Sequence, residues 1–246
     1  MTETSHEPVS VMRFTRRHLG RIVVGVILVA IVYRAMIVVM LKWRESAAVD
    51  QCLQNTKHIG MAFHNYLAAY KCLPELDAGE RRPFGWRATL MGWFEASPVP
   101  SENEIRSMPA YIFNLSGSAN PNNQSTTIYA ITGDKTSFAP DNRCRFYDLP
   151  GTRILLISGR PSKEPWHTAA NVSLEDLKGN AAVRDVVGET CPGITFILLS
   201  SGEAWAIDSS APCSVVARCA EVLDEAVSDA AQQALLKYRL KVKKPE

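Results

Sequence analysis

The feature that most constrains this chain is an apolar run near its start, from Ile22 to Leu41, which passes directly into a polar segment. At about 1.5 Å per residue, a helix over this run would match a hydrocarbon core of roughly 30 Å. No glycine or proline falls between Lys42 and Ile59, so nothing interrupts a helix as it leaves the run. We therefore expect a single-pass membrane anchor whose helix continues into the domain that follows.

Basic residues predict the orientation of this anchor. Four arginines stand just before the apolar run: Arg13, Arg16, Arg17 and Arg21. By the positive-inside rule they place residues 1–21 in the cytoplasm as a basic tail, with 22–41 as the anchor and the remainder outside. The alternative is a cleaved signal peptide, but the run exceeds the usual apolar region of 7–15 residues and no A-x-A-like site follows it.

The segment after the anchor has the spacing of an amphipathic helix. Apolar and small residues recur at steps of three and four and form one stripe: Val49, Leu53, Thr56, Gly60, Phe63, Leu67 and Tyr70. Pro74 marks its end, because the residue before a proline avoids helical geometry. His58 and His64 lie six apart, about 240° around the helix, and so cannot share a metal ion.

The rest of the chain predicts an α+β domain. Five β-like runs are separated by turn-rich loops: Tyr111–Phe113, Thr126–Thr132, Arg153–Ser158, Thr195–Ser200 and Glu203–Asp208. Ser201-Gly202 predicts a tight hairpin between the last two. A final helix is expected over Cys213–Leu240, with the stripe Val216, Cys219, Leu223, Val227, Ala230, Ala234 and Tyr238. We expect the long N-terminal helix to pack on a small antiparallel sheet.

Several fragments, in order, resemble one bacterial family. They are the Gln51-Cys52, Asn55–Gly60 and His64–Tyr66 parts of the helix, then Leu73-Pro74, Trp86-Arg87 with Leu90, Tyr129–Phe138, Leu149–Ile157, Pro165-Trp166 with Leu174–Leu177, and Gly193–Ile207. The segment 44–208 is similar to the pilin-like family of planctomycete-type bacteria, described as of unknown function and also labelled bacterial solute-binding protein family 10. That resemblance implies a pilin-like fold for a domain over 42–210, followed by a C-terminal helix and basic tail over 211–246.

The start of the chain departs from that family's prepilin pattern. Arg13 rather than glycine precedes Phe14-Thr15, and His18 stands where the family has a glutamate. The pattern therefore indicates a permanent anchor instead of a processed prepilin.

Motifs for chemistry are not found in the sequence. It holds no G-x-S-x-G, P-loop or H-E-x-x-H motif, and Gly133–Thr136 is interpreted as a turn. Glu75, Asp77 and Glu80 lack the ligand spacing of a calcium loop. Four tryptophans are interpreted as core residues: Trp86, Trp93, Trp166 and Trp205. We therefore predict no catalytic, cofactor-binding or metal-binding residues and no cofactor.

Six cysteines would tend to oxidise outside the cytoplasm. Six allow 15 pairings, so the sequence does not define the connectivity. Cys52 and Cys72 are too far apart on one helix to join. We expect Cys213 and Cys219 to tie the last helix to the domain.

The sequence thus predicts a non-enzymatic envelope protein in the inner membrane, with its C-terminal domain periplasmic or extracellular. It would act by contact with a protein or an envelope polymer, with no nucleic-acid partner, since the formal net charge is only +2; self-association is an open alternative. A solute- or carbohydrate-binding module is the first alternative function. An exported hydrolase is the second.

Overall fold

The computed structural model describes residues 9–76, 85–94, 101–107, 112–115, 124–144, 152–168, 171–223 and 225–241. The chain forms two compact units, residues 1–47 and 48–246. The first helix, α1, spans Val9–Tyr70 and contributes to both units.

In the first unit, α1 carries the apolar run. The most apolar window of the helix has a mean hydropathy of 2.8, and none of that window is buried in the protein. Ile22, Leu28 and Leu41 each expose more than half of their surface, which is costly in water and favourable in lipid. A helix of this length and composition fits a membrane anchor or a signal sequence.

In the second unit, α1 buries the predicted stripe. Thr56, Gly60, Phe63 and Leu67 are all buried, together with Cys52, Ile59 and Ala62. The prediction is wrong at Tyr70, which is 59% exposed. The helix ends there because Lys71 adopts a left-handed conformation, with φ of 60°, and its amide bonds the carbonyl of Leu67 at 2.8 Å.

A five-stranded sheet lies against α1. Its strands are β1 (Ile128–Thr132), β2 (Ile154–Ser158), β3 (Val172–Ser173), β4 (Ile194–Leu199) and β5 (Ala204–Asp208). The order is β3-β1-β2-β4-β5. Four strands pair antiparallel, as expected, but β3 adds a short parallel edge to β1 and makes the sheet mixed.

Six shorter helices complete the described chain: α2 (Trp86–Met91), α3 (Glu102–Ser107), α4 (Pro140–Arg143), α5 (Val183–Val186), α6 (Cys213–Ala220) and α7 (Glu225–Leu236). The α+β class is therefore confirmed.

Both faces of the sheet are buried. Side chains alternate along each strand, so Phe196 and Leu198 of β4 join the cluster around α1, while Ile197 and Leu199 join a second cluster with α6 and α7. The sheet is thus the middle of three layers, which explains the nearly continuous apolar sequence of β2 and β4.

Two predicted elements differ in the structure. Phe113 lies in a turn rather than a strand, where its ring stacks on Trp166 at 5.5 Å and its carbonyl accepts the amide of Thr127; Tyr111 lies outside the described residues.

The prediction of a single C-terminal helix is also wrong, because the chain becomes extended at Glu221, which separates α6 from α7. Glu221 forms a β-bridge with Thr136, and the amide of Val222 donates to the carbonyl of Lys135 at 2.6 Å. The break changes the helical phase: α7 buries Ser228, Ala231 and Leu235 instead of the predicted Val227, Ala230 and Ala234.

Candidate interaction groove

A groove of about 1130 Å³ runs between α1 and the edge strand β5. We call it the α1–β5 groove. It is lined by three segments of the second unit: residues 53–65 of α1, Ser201–Ala206 of the β4–β5 hairpin, and residues 236–241 at the end of the chain. The groove leaves part of α1 and part of β5 uncovered, which makes it the candidate binding surface.

The groove exists because β5 carries small side chains on the face toward α1. Strand alternation places Ala204 and Ala206 on that face, whereas Trp205 and Ile207 enter the core on the other face. Alanine fills little of the layer between helix and sheet. The alternation in Ala204-Trp205-Ala206-Ile207 is visible in the sequence, where it predicts a strand but does not by itself predict a groove.

Two glycines allow α1 to approach the sheet and its β4–β5 hairpin closely. A Cβ on Gly60 would lie 2.8 Å from Leu198 Cδ1, and a Cβ on Gly202 would lie 2.9 Å from the ring of His64. Gly202 also has φ of 84° in the predicted hairpin turn, a conformation that glycine adopts without strain. Helix and hairpin can therefore approach closely at this point.

The end of the chain forms one rim. Residues after α7 run antiparallel beside β5. The amide of Leu240 donates to the carbonyl of Ala206 at 2.8 Å, and the amide of Asp208 donates to the backbone carbonyl of Tyr238 at 2.9 Å. This pairing covers part of an otherwise open sheet edge. It also brings Arg239 and Lys241 to the groove.

The rim is basic and the interior partly apolar. The lining residues include three cations, Lys57, Arg239 and Lys241, and one acid, Glu203. Met61 is 56% exposed and Leu236 is 37% exposed. An exposed apolar surface rimmed by charge is typical of a binding surface.

Trp205 also lines the groove, although its ring packs in the second cluster on the other side of the sheet. Its indole N–H donates to Glu203 Oε2 at 3.0 Å, and the guanidinium of Arg239 lies 4.3 Å from the ring centroid. The residue is buried, so this ring offers little free face for stacking on a sugar.

The other three tryptophans that were predicted in the core, Trp86, Trp93 and Trp166, confirm that prediction. Trp86 and Trp166 are fully buried, and Trp93 packs against the α1 cluster. Gly133–Thr136 is confirmed as a turn, because the Thr136 hydroxyl donates to the carbonyl of Gly133 at 2.8 Å.

The acidic segment predicted as a loop lies partly within the described residues. Glu75 pairs with Arg143 at 2.9 Å; Asp77 and Glu80 lie outside the described residues. The described part of the chain contains no group of three His, Cys, Asp or Glu residues arranged to hold a metal. His58 is exposed, and His64 lies in the groove.

One buried cation is structural. Arg87 donates to the carbonyl of Ile128 through Nη2 at 2.7 Å and lies 4.6 Å from the Trp86 ring centroid. Burial lowers the pKa of Arg87 to about 9, because the charged form loses solvation. Its contacts join α2 to β1.

The cysteines pair differently from the prediction. All six lie within the described ranges, and Cys72 is bonded to Cys144, 72 residues away. The expectation that Cys213 and Cys219 tie the last helix to the domain by disulfides is wrong: both are free and buried in α6. Apolar packing joins α6 to the sheet instead, and burial raises the pKa of the Cys219 thiol to about 12.

Comparison with known proteins identifies a family match in the first half of the chain. No curated protein and no solved structure matches the chain. The matching family segment starts directly after the predicted anchor and ends with β1, so the later resembling fragments lie beyond it. Residues 42–132 match the family described as protein of unknown function, DUF1559, with the label SBP_bac_10, which confirms over those residues the resemblance predicted from the sequence.

Proposed function

We propose that the chain is a non-enzymatic, pilin-like protein of the bacterial envelope, anchored in the inner membrane by residues 22–41. Its domain would lie in the periplasm or outside the cell. There it would bind a protein or an envelope polymer through the α1–β5 groove.

The groove carries this proposal. It combines exposed Met61 and Leu236 with the basic rim formed by Lys57, Arg239 and Lys241. Apolar contact gives affinity, and complementary charge gives orientation and selectivity. A partner segment with apolar side chains and net negative charge would fit both features.

The Cys72–Cys144 disulfide supports an extracytoplasmic domain. Structural disulfides persist in oxidising compartments and are rare in the cytosol. The same orientation follows from the arginines that precede the apolar run.

Binding of a small solute is the second candidate, and the groove of about 1130 Å³ is only slightly larger than the roughly 300–1,000 Å³ that ligand sites commonly have. A sugar ligand is disfavoured, because the Trp205 ring on which it could stack is already in contact with Arg239. For a hydrolase, the groove offers one acid, Glu203, and one histidine, His64, rather than paired carboxylates. These features favour a macromolecular partner.

Site-specific photo-crosslinking in intact envelopes tests the proposal. A benzophenone amino acid replaces Met61 in the groove; the matched control carries it at exposed Lys163, which does not line the groove. We expect a discrete protein or polymer adduct from position 61 only, reduced when Lys57→Glu reverses a rim charge. Equal labelling at both positions, or none at position 61, would refute the groove as the binding surface. Turnover of a glycan or peptide by the purified full chain would refute the non-enzymatic assignment.

A further inference from the structure

The N-terminal half of α7 presents an acidic surface to solvent. Glu225 and Asp229 are both exposed and lie four residues apart, so their carboxylates share one side of the helix. Beside them stand Ala226 and Ala230, which are also exposed, and Val227 forms an apolar flank that is 46% exposed. We call these five residues the α7 acidic face. Because its alanines are small, another surface can approach this side of the helix closely, as in the docking of a helix into a groove.

The α7 acidic face and the α1–β5 groove are complementary. Within the described residues, Lys57 and Lys241 of the groove have no ion-pair partner, and the same holds for both acids of the α7 acidic face. Opposite charges on two surfaces steer them together and fix their orientation. The apolar parts also match, because exposed Val227 provides a contact for exposed Met61. The groove and the face thus meet the requirements of one another in both charge and apolar contact.

A single copy cannot place this face in its own groove. Leu236, at the end of α7, lines the groove, whereas Glu225 begins the same helix 11 residues earlier. At about 1.5 Å per residue, the helix holds these two positions roughly 16 Å apart along its axis. Ala231 and Leu235 fix the helix on the sheet through the second cluster. The face is therefore available only to the groove of another molecule.

We propose that the α1–β5 groove binds the α7 acidic face of a second copy of this chain. This inference rests on the proposed function, in which the groove is the binding surface, and it names the partner. Groove and face are different surfaces of one copy, so the contact is heterologous. Each copy uses its groove for one neighbour and its α7 acidic face for another, which produces a closed ring or an open row of copies.

Photo-crosslinking of the full chain in intact envelopes, with the benzophenone amino acid at position 61, identifies the occupant of the groove. We expect an adduct with the mass of two copies, in which the linked peptides join position 61 to α7. An adduct with a different protein or with a polymer would overturn self-docking and leave the groove as the binding surface. The absence of any adduct would overturn both proposals.

Reversal of charge on α7 tests the contact itself. A chain with Glu225→Lys and Asp229→Lys should form at least about tenfold less of the two-copy adduct, because like charges then face each other across the interface. The matched control carries Asp134→Lys and Asp176→Lys, which reverse two exposed acids outside α7 and the groove. It changes the net charge by the same amount and should keep the adduct at the parent level. An equal loss in both chains would overturn the proposal.

Co-expression of two reversed chains completes the test. A chain with Lys57→Glu and Lys241→Glu in the groove should also form little adduct alone. Together with the α7-reversed chain it restores opposite charges at both kinds of contact, so the adduct should return. Near-ultraviolet circular dichroism of each purified variant, compared with the parent, verifies that it is folded. An adduct that survives reversal of α7, or that does not return when the two folded variants are combined, would overturn the proposal.

Discussion

Removal of the Cys72–Cys144 disulfide should destabilise the second unit mainly through its unfolded state. Cys72 follows α1 and Cys144 follows α4, and neither side chain belongs to the buried core. Around the bond, the amide of Leu73 donates to Arg143 at 3.1 Å, and Arg143 pairs with Glu75. These contacts remain when serine replaces both cysteines, so the native segments stay in place while the unfolded chain gains freedom.

The expected magnitude follows from the length of chain that the bond closes. A cross-link between residues separated by 72 positions lowers the conformational entropy of the unfolded chain. This loss of entropy stabilises the folded state by about 4 kcal/mol at 25 °C. For a unit of about 200 residues, the unfolding entropy near the midpoint is on the order of 0.4 kcal/mol per kelvin, so Tm should fall by about 10 °C.

Thermal unfolding of the full chain in detergent, followed by near-ultraviolet circular dichroism, measures this shift. Cys72→Ser, Cys144→Ser and the double variant should lose the same stability, because each removes the same bond. Glu75→Gln is the matched control: it removes the neighbouring ion pair but keeps the disulfide. Since Glu75 is largely exposed, we expect the control to lose less than about 1 kcal/mol.

Two results would refute this reasoning. If the two single-variant losses added up in the double variant, the cost would come from local contacts instead of a shared covalent link. If the double variant melted within about 2 °C of the parent, the bond would not restrict the unfolded chain in the way its span implies.

Two further substitutions test the packing of α1. Gly202→Ala should cost about 1–2 kcal/mol in urea unfolding, because its Cβ would meet the His64 ring at 2.9 Å and φ is positive; Gly179→Ala, whose Cβ meets nothing closer than 3.9 Å, should be near neutral, and equal costs would contradict the close approach. Phe63→Ala should cost about 3–5 kcal/mol in the same assay, since Phe63 is 1% exposed; Met61→Ala, on the exposed face, should stay within about 0.5 kcal/mol, and a small loss at Phe63 would contradict its place in the core.

Local patterns in the sequence predicted the elements that local physics determines. The α1 stripe follows the 3.6-residue period, and β1, β2, β4 and β5 follow runs of apolar residues between turn residues. The break between α6 and α7 could not be read in this way, because Glu221–Asp224 contains neither glycine nor proline. It depends on pairing of Glu221 with Thr136, which is 85 residues earlier in the chain. The Cys72–Cys144 connectivity is equally long-range.

The break between α6 and α7 also explains why the sequence did not predict the groove. One continuous helix over Cys213–Leu240 would have run past the sheet, and its last residues could not have paired with β5. The extended residue Glu221 ends α6 and lets α7 pack in the same apolar cluster. The chain then leaves α7 beside β5, where Tyr238 and Leu240 bond Asp208 and Ala206.

The candidate site therefore depends on two features of different kinds. Ala204 and Ala206 leave space beside α1, a local property that is visible in the sequence. Arg239 and Lys241 reach that space only because a distant backbone bridge redirects the chain. Since two of the three rim cations lie in the terminal segment, a change in the pairing of Leu240 with Ala206 would alter the charge of the groove. The third cation, Lys57, and the exposed Met61 lie on α1, so a partner that requires the whole rim would sense how the terminal segment packs beside β5.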